Sequence, residues 1–490
     1  MKTLRKPTLV MLLIAAVLMA GCKKETEPEN NGNNGNNVNN NETTETVGHK
    51  NPNSAQDTPL SEHFLEEFGS IYQLYSNSDG SFYALASGEY TDYLLKLDNN
   101  GYVQQRTELG FRSRKGVTIS GENIVLMGNL GYVSSLYGMY EQGYVAVYDR
   151  NMQVVATTVL KDPLYKIEMY SLIQDAQDPT LFYAGGAAID ESYVQYPYLC
   201  TLRFSDGLMT KVSSKIYSDN AKRLVIGMVE KQSDGQKDLI LETYSYSVID
   251  NPYDSNSSAI HIMKLNYFEE ESGWGSETWD VSISGSHNNS SSKNNSIDSD
   301  ENNIYFFGYC NDDKSPAPSS GGYWRSGCIT AVNWHLGQTS WTKTVSLSNK
   351  DDQFYDGMLL DGYLYAWGCH SGLRYNSTMK YFANGLVAKF TLSGELIAYK
   401  TFGEPERNSF LYSFAKDNND SFVCVGKSGK NLGSFNLVYS GWFLKTDLSS
   451  NGSSKAIPEI MQDVDDEKFI EMEDGINTAP MDGEMRFGGR

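Results

Sequence analysis

Nucleophilic, acid–base and metal chemistry need a few residue types at defined spacings, and in this chain those residues are scattered. The six His stand at 49, 63, 261, 287, 335 and 370, with no His-x-x-x-His pair. There is no Gly-x-Ser-x-Gly elbow and no phosphate-cradling glycine loop. Six Cys are present without a Cys-x-x-Cys, which removes the common zinc and thiol-redox motifs. Asp298-Ser299-Asp300-Glu301-Asn302 opens like a calcium loop. Its sixth position is Asn303 instead of Gly, and its twelfth is Tyr309 instead of Glu, so it reads as a turn. Two carboxylates could still meet across the mouth of a ring, as glycoside cleavage requires, but no spacing in the chain specifies such a pair. No catalytic residue, metal or cofactor is expected.

The chain does offer binding chemistry. Tyr, Trp and Arg crowd into six stretches: Asn129–Gly143, Ala187–Pro197, Ser245–Ala259, Tyr309–Gly327, Cys369–Gly385 and Lys427–Gly441. These side chains bury much area and keep a polar end, which suits anchors for a partner or a sugar face. Tyr140, Tyr253, Tyr323, Trp324, Arg325, Arg374 and Tyr375 are the candidate ligand-binding residues. The competing reading is that the aromatics pack the loops against one another. Cys310 and Cys328 flank one of these stretches and are candidates for a disulfide that clamps it. Cys200, Cys369 and Cys424 read as small apolar fillers.

The elements that position these stretches repeat along the chain. Seven alternating runs recur: Leu94–Asp98, Val145–Asp149, Cys200–Phe204, Ile262–Asn266, Ile329–Asn333, Val387–Thr391 and Phe443–Asp447. Alternation at period two makes a strand with one buried face. Upstream of each lies a more apolar run, and five of those runs end in Gly: Gly128, Gly186, Gly308, Gly368 and Gly426. A glycine at a fixed place in a strand marks a close backbone approach. The unit is strand A, tight turn, apolar strand B, long loop, alternating strand C, short turn, strand D. A four-strand unit of roughly 50 residues is a propeller blade. The fold class is therefore all-β, a seven-bladed β-propeller of four-stranded antiparallel blades, and its B–C loops all emerge on one face.

The seventh blade lacks an internal strand D. His63–Phe68 followed by Gly69 resembles the ends of other D strands, so the N-terminal strand is expected to close the ring. Lys455–Val464 is the alternative closing strand. The propeller spans residues 58–454. Before it, residues 22–57 are rich in Asn, Glu and Thr and read as a disordered tether. Residues 455–490 read as an acidic, largely disordered tail. The formal net charge of −21 repels nucleic acid, which is excluded as a partner.

Residues 1–21 form a signal peptide: Lys2, Arg5 and Lys6, then the short apolar run Thr8–Met19. With Ala20-Gly21-Cys22 the segment resembles a bacterial lipoprotein signal, which implies lipidation of Cys22 and attachment to the membrane through that lipid. Lys23-Lys24-Glu25 resembles the start of the tether in surface-exported lipoproteins of Bacteroidota, which implies the outer membrane and the cell surface. Ile329–Trp341 resembles a blade of the quinoprotein-like β-propellers, but the other blades lack its Trp, and no quinone cofactor follows. The resemblance implies a non-enzymatic binding protein presenting its B–C face to a glycan or a protein. The alternatives are a polysaccharide-acting propeller enzyme and an envelope-assembly scaffold lipoprotein.

Overall fold

The computed structural model describes residues 45–47 and 59–447, apart from 78, 89–90, 120–122, 131–141, 221–222, 234–235, 246–258, 269–272, 284–285, 288–296, 313–323, 348–350, 373–382, 405–406, 419–420 and 432–436. Seven antiparallel sheets follow one another around a ring. Strands A to D run, in blade 1, over Ser70–Ser76, Phe82–Ser87, Asp92–Leu97 and Val103–Leu109. Blade 2 holds Arg112–Ile119, Asn123–Leu130, Gln142–Asp149 and Val154–Leu160. Blade 3 holds Lys166–Gln174, Leu181–Ile189, Gln195–Ser205 and Leu208–Ile216. Blade 4 holds Arg223–Ser233, Gln236–Ser245, Ala259–Phe268 and Gly273–Ile283. In blade 5 strand A comes in two pieces, Ser286–His287 and Ile297–Ser299, followed by Asn303–Asp312, Trp324–Asn333 and Gln338–Val345. Blade 6 holds Asp351–Leu360, Tyr363–Gly372, Asn384–Phe390 and Leu396–Phe402. Blade 7 holds Arg407–Lys416, Phe422–Asn431 and Leu437–Thr446, with Ser61–Leu65 as its strand D.

Burial grades outward in each sheet. Strand B of blade 3 is buried at every position, whereas strand D of blade 1 alternates between half-buried and exposed up to Leu109. A strand covered on both faces loses its alternation, which is why the B strands read as continuous apolar runs. The core lies between neighbouring blades. Phe82, Ala84 and Leu95 of blade 1 pack on Val423, Val425 and Phe443 of blade 7, so the last blade meets the first.

The closing strand is shorter and earlier than expected. It pairs Ser61 with Lys445 through Leu65 with Gly441 and stops before Phe68. Phe68 N donates to Leu65 O at 3.1 Å, and Gly441 N donates to Phe68 O, so the chain has already turned toward blade 1. Lys455–Val464 lies outside the described residues. Glu45–Val47, within the expected tether, pairs in parallel with Lys343–Val345 on the outer edge of blade 5.

The recurring glycines have a steric cause. Strand A carries a one-residue bulge in six blades: between 71 and 73, 113 and 115, 169 and 171, 225 and 227, 354 and 356, and 411 and 413. Gly128, Gly186, Gly368 and Gly426 face these bulges. A Cβ on them would lie 1.8–2.0 Å from the carbonyl oxygens of Arg112, Glu168, Gln353 and Phe410. The bulge leaves one extra residue out of the ladder and re-aims it. That residue is Tyr72, Tyr170, Tyr355 or Tyr412 in four of the blades. In blade 5 His287 pairs with Tyr309 and Ile297 with Phe306.

Two expectations are corrected. The described flanks of four B–C connections are strand: the ladders run to Ile189–Gln195, Asp312–Trp324, His370–Asn384 and Asn431–Leu437. Trp324 and Arg325 are therefore strand residues. No disulfide joins Cys310 and Cys328, which stand as thiols. Cys310 stands opposite Ser326 and Cys328 opposite Gly308, so the two are diagonal neighbours. Diagonal pairs are about 7–8 Å apart, beyond disulfide reach. Cys310 Sγ instead lies 3.5 Å from Thr344 Oγ1, and Cys328 Sγ lies 3.8 Å from Thr330 Oγ1.

Candidate functional site

The seven A strands enclose a central cavity of about 430 Å³. That volume falls within the roughly 300–1,000 Å³ of small-molecule sites. Every blade contributes to the lining, which is mixed in character. Lys115, Glu230, Asp298, Asp356, Ser299 and Ser413 bring charge and hydrogen bonds, while Met228, Met358, Trp367 and Phe414 bring apolar surface. Gln73, Asp356 and Ser413 directly follow the bulge residues Tyr72, Tyr355 and Tyr412, so the bulges form the tier above the cavity on its B–C side.

The backbone presets the two central carboxylates. Asp298 accepts from Ser299 N at 2.7 Å and, across the blade boundary, from Leu359 N at 2.7 Å. Asp356 accepts from Gly357 N at 2.8 Å. Burial pushes the Asp298 carboxyl above the ordinary range, against the pull of those two amides and of Lys231. Burial lifts Asp356 well above it; Lys115 opposes that rise, and Glu242 and Asp298 add to it. Burial pulls the Lys115 ammonium down, and Asp356 holds it up. Tyr75 closes one side, its oxygen accepting from Gly116 N at 2.7 Å and bonding to Gln73. The cavity thus holds a cation and two carboxyls that retain protons more readily than exposed ones, an arrangement able to bind polar solutes or move a proton.

Asp298 opens the stretch that resembles a calcium loop. Its neighbour Asp300 behaves as a turn residue, accepting from Asn302 N at 2.8 Å, Asn303 N at 2.7 Å and Tyr305 Oη at 2.5 Å. Among the described residues no group of three or more His, Cys, Asp or Glu is placed to hold a metal.

On the B–C face, blades 5 to 7 carry stacked cations and aromatics. The Arg325 guanidinium lies 4.4 Å from the centroid of Tyr309, and its Nη1 donates to Gln353 Oε1 at 3.5 Å. Tyr355 Oη donates to Cys369 Sγ at 3.2 Å and its ring lies 5.7 Å from Tyr412. The Lys427 ammonium stands over Tyr439, Phe410 and Tyr412 at 4.6, 5.3 and 5.6 Å. Of the sequence-derived candidates, Arg325 is placed here, and the backbone of Trp324 lies beside it in the same strand. Tyr140, Tyr253, Tyr323, Arg374, Tyr375 and the lipidation candidate Cys22 lie outside the described residues.

Asp352 and His370 form a buried dyad in blade 6, Nδ1 to Oδ1 2.8 Å. Asp352 also accepts from Leu347 N at 2.8 Å, while His370 Nε2 has no hydrogen-bond partner. Both side chains are 1% exposed, so the dyad pins the end of a hairpin and has no access to a substrate. No motif or spacing pointed to Lys115, Asp356 or Lys427. A search for the residue after each strand-A bulge would have found Asp356, and one for a Lys directly after a strand-B glycine would have found Lys427.

Neither a protein-family model nor a curated protein sequence matches the chain. Among solved structures the chain is similar to Drosophila Plexin A in complex with Semaphorin 1b, at 10% identity and TM-score 0.40, over 80% of this chain and 88% of that one. It is similar to Drosophila Semaphorin 2a at 9% identity and TM-score 0.42, over 81% and 77%. It is also similar to streptogramin B lyase at 8% identity and TM-score 0.38, over 79% and 97%. Likeness at these identities concerns the fold alone.

Proposed function

We propose that this chain is a non-enzymatic binding protein of a bacterial cell envelope. In this reading a lipid on Cys22 holds it at the outer membrane, and the B–C face is presented at the cell surface to a glycan or a protein. One observation carries the binding role: the B and C strands of blades 5 to 7 bring Arg325 onto Tyr309 and Lys427 onto Tyr439 on a single face. Cation-backed aromatic rings supply area and polar ends together. Among the described residues no helix is long and apolar enough to cross a membrane. Attachment is assigned to Cys22 on the strength of its signal-like context in the sequence.

The test is a glycan array and a surface-protein panel probed with the full chain, beside Arg325→Ala and Trp324→Ala variants. Binding that both substitutions weaken, without loss of melting temperature, supports the reading. Binding indifferent to both removes this face from it. Cys22→Ser should release the chain from membranes, and a variant that still fractionates with the outer membrane rules out the lipid.

A second reading, a polysaccharide-acting enzyme, has one observation in its favour. Asp298 and Asp356 share the cavity, and burial raises both carboxyls, as a general acid requires. A product assay on any glycan hit, with Asp298→Asn as control, separates catalysis from binding.

A further inference from the structure

Lys427 is a half-buried ammonium with unusual company. It directly follows Gly426 in strand B of blade 7 and pairs across the ladders with Phe410 and Gly441. Its nitrogen makes no hydrogen bond or ion pair among the described residues and rests on three aromatic rings. A cation on ring faces recovers less than desolvating an ammonium costs. Burial accordingly draws its proton affinity below that of an exposed lysine. Two carboxylates of the adjoining strand ends are engaged with other groups: Glu404 holds Arg407 at 2.9 Å, and Asp352 holds His370.

Charge along the sequence gives a second, independent sign. In a chain of net charge −21, Cys369–Gly385 and Lys427–Gly441 contain four Lys or Arg residues and no Asp or Glu. Every other long B–C stretch carries at least one acid: Glu141, Asp190 and Glu191, Asp250 and Asp254, or Asp312 and Asp313. Acidic residues are thus absent from the B–C stretches of blades 6 and 7, which carry Lys427 and the exposed Lys430.

We propose that the B–C face of blades 6 and 7 binds an acidic glycan, with an anionic group of one sugar paired to Lys427 and the sugar held against the partly exposed Tyr412 and Tyr439. This rests on the binding-face reading and narrows its ligand. The anion supplies the counter-charge that the protein withholds, and the phenol oxygens suit sugar hydroxyls better than the side chains of an acidic peptide.

The experiment is calorimetric titration of the full chain, in detergent, with four probes: tri-galacturonate, its carboxyl-reduced neutral form, a sulfated neutral trisaccharide and hexaglutamate. Tri-galacturonate or the sulfated sugar should bind, whichever carries the matching anion, and the neutral form at least tenfold more weakly, about the worth of a charged hydrogen bond. Lys427→Met should lower the acidic-sugar affinity by about tenfold. Lys427→Arg should retain most of it and guards against a variant that fails to fold. Equal affinity for acidic and neutral sugars overturns the proposal and leaves a glycan-binding face intact. Hexaglutamate binding as tightly as the sugars overturns it in favour of an acidic protein partner. No binding of any probe overturns it too, and the array and protein panel then judge the face by themselves.

Discussion

Lys115 of blade 2 and Asp356 of blade 6 share the central cavity and interact electrostatically although blades 7 and 1 stand between them. Each is the other's main opposite charge at a site where burial opposes both charged forms.

Removing one partner strands the other. Lys115→Met should cost about 2–3 kcal/mol, at or below the usual range for a broken buried pair because the lysine is only half-buried. Asp356→Leu alone should also destabilise. The double variant should lose at least about 1 kcal/mol less than the two single losses added together. Urea titration of the three variants reads this, and additive losses would mean the two charges are independent.

Asp298 gives a pH signature. Burial holds its carboxyl above the ordinary 3.8, so the folded chain keeps that proton to higher pH than the unfolded chain. As pH rises from about 4, the unfolded state gives up its proton first, and this group's contribution to stability falls. Carboxylates lowered by hydrogen bonds or ion pairs, such as Asp79 and Asp280, act in the opposite sense. The measurement is therefore a difference: stability of Asp298→Asn should decline less, or rise more, than the wild type between about pH 4 and pH 7. Parallel curves would place the Asp298 carboxyl in ordinary solvent.

The strand-B glycines should resist substitution. Alanine at Gly186 or Gly426 puts a Cβ under 2 Å from a bulge carbonyl, and overpacking of this kind costs about 1–3 kcal/mol. Gly110 has nothing within 4 Å of the same added atom, and Gly110→Ala should stay within about 0.5 kcal/mol of wild type. Thermal melts of the three variants check the contrast.

Thiol reactivity should follow burial. Without reductant the half-buried Cys310 should alkylate in the folded chain, and the fully buried Cys328 only on unfolding. Burial pushes the Cys200 thiol up to about 12 and Cys424 higher still, so those two should react only on unfolding. A Cys310–Cys328 peptide in non-reducing mapping would contradict the register described above.

The ring was legible because period-two alternation and turn residues are local signals. Gly128, Gly186, Gly368 and Gly426 even marked the bulges before the bulges were seen. The cavity was not legible, because Lys115, Asp298 and Asp356 come from three blades and no spacing links them. Trp324 and Arg325 read as loop residues because Ser, Gly and Pro crowd the residues around them. A backbone ladder needs no apolar side chains, so the strands continue through such a stretch. The cysteine pair failed on register, where a two-residue offset separates a bridge from two free thiols.

The closing strand has a consequence for how the protein is made and unmade. Trp442 Nε1 donates to Glu62 Oε1 at 2.7 Å across 380 positions of chain. Bringing such distant partners together costs about 5 kcal/mol of loop entropy, by the logarithmic scaling of closure with length. During synthesis the N-terminal strand must wait, unpaired, until nearly the whole chain has followed it. The joint is then the last contact to form and the first to open. Hydrogen exchange at Gly441–Lys445 should outpace that of any B strand, and a ring sprung there would keep its other blades stacked.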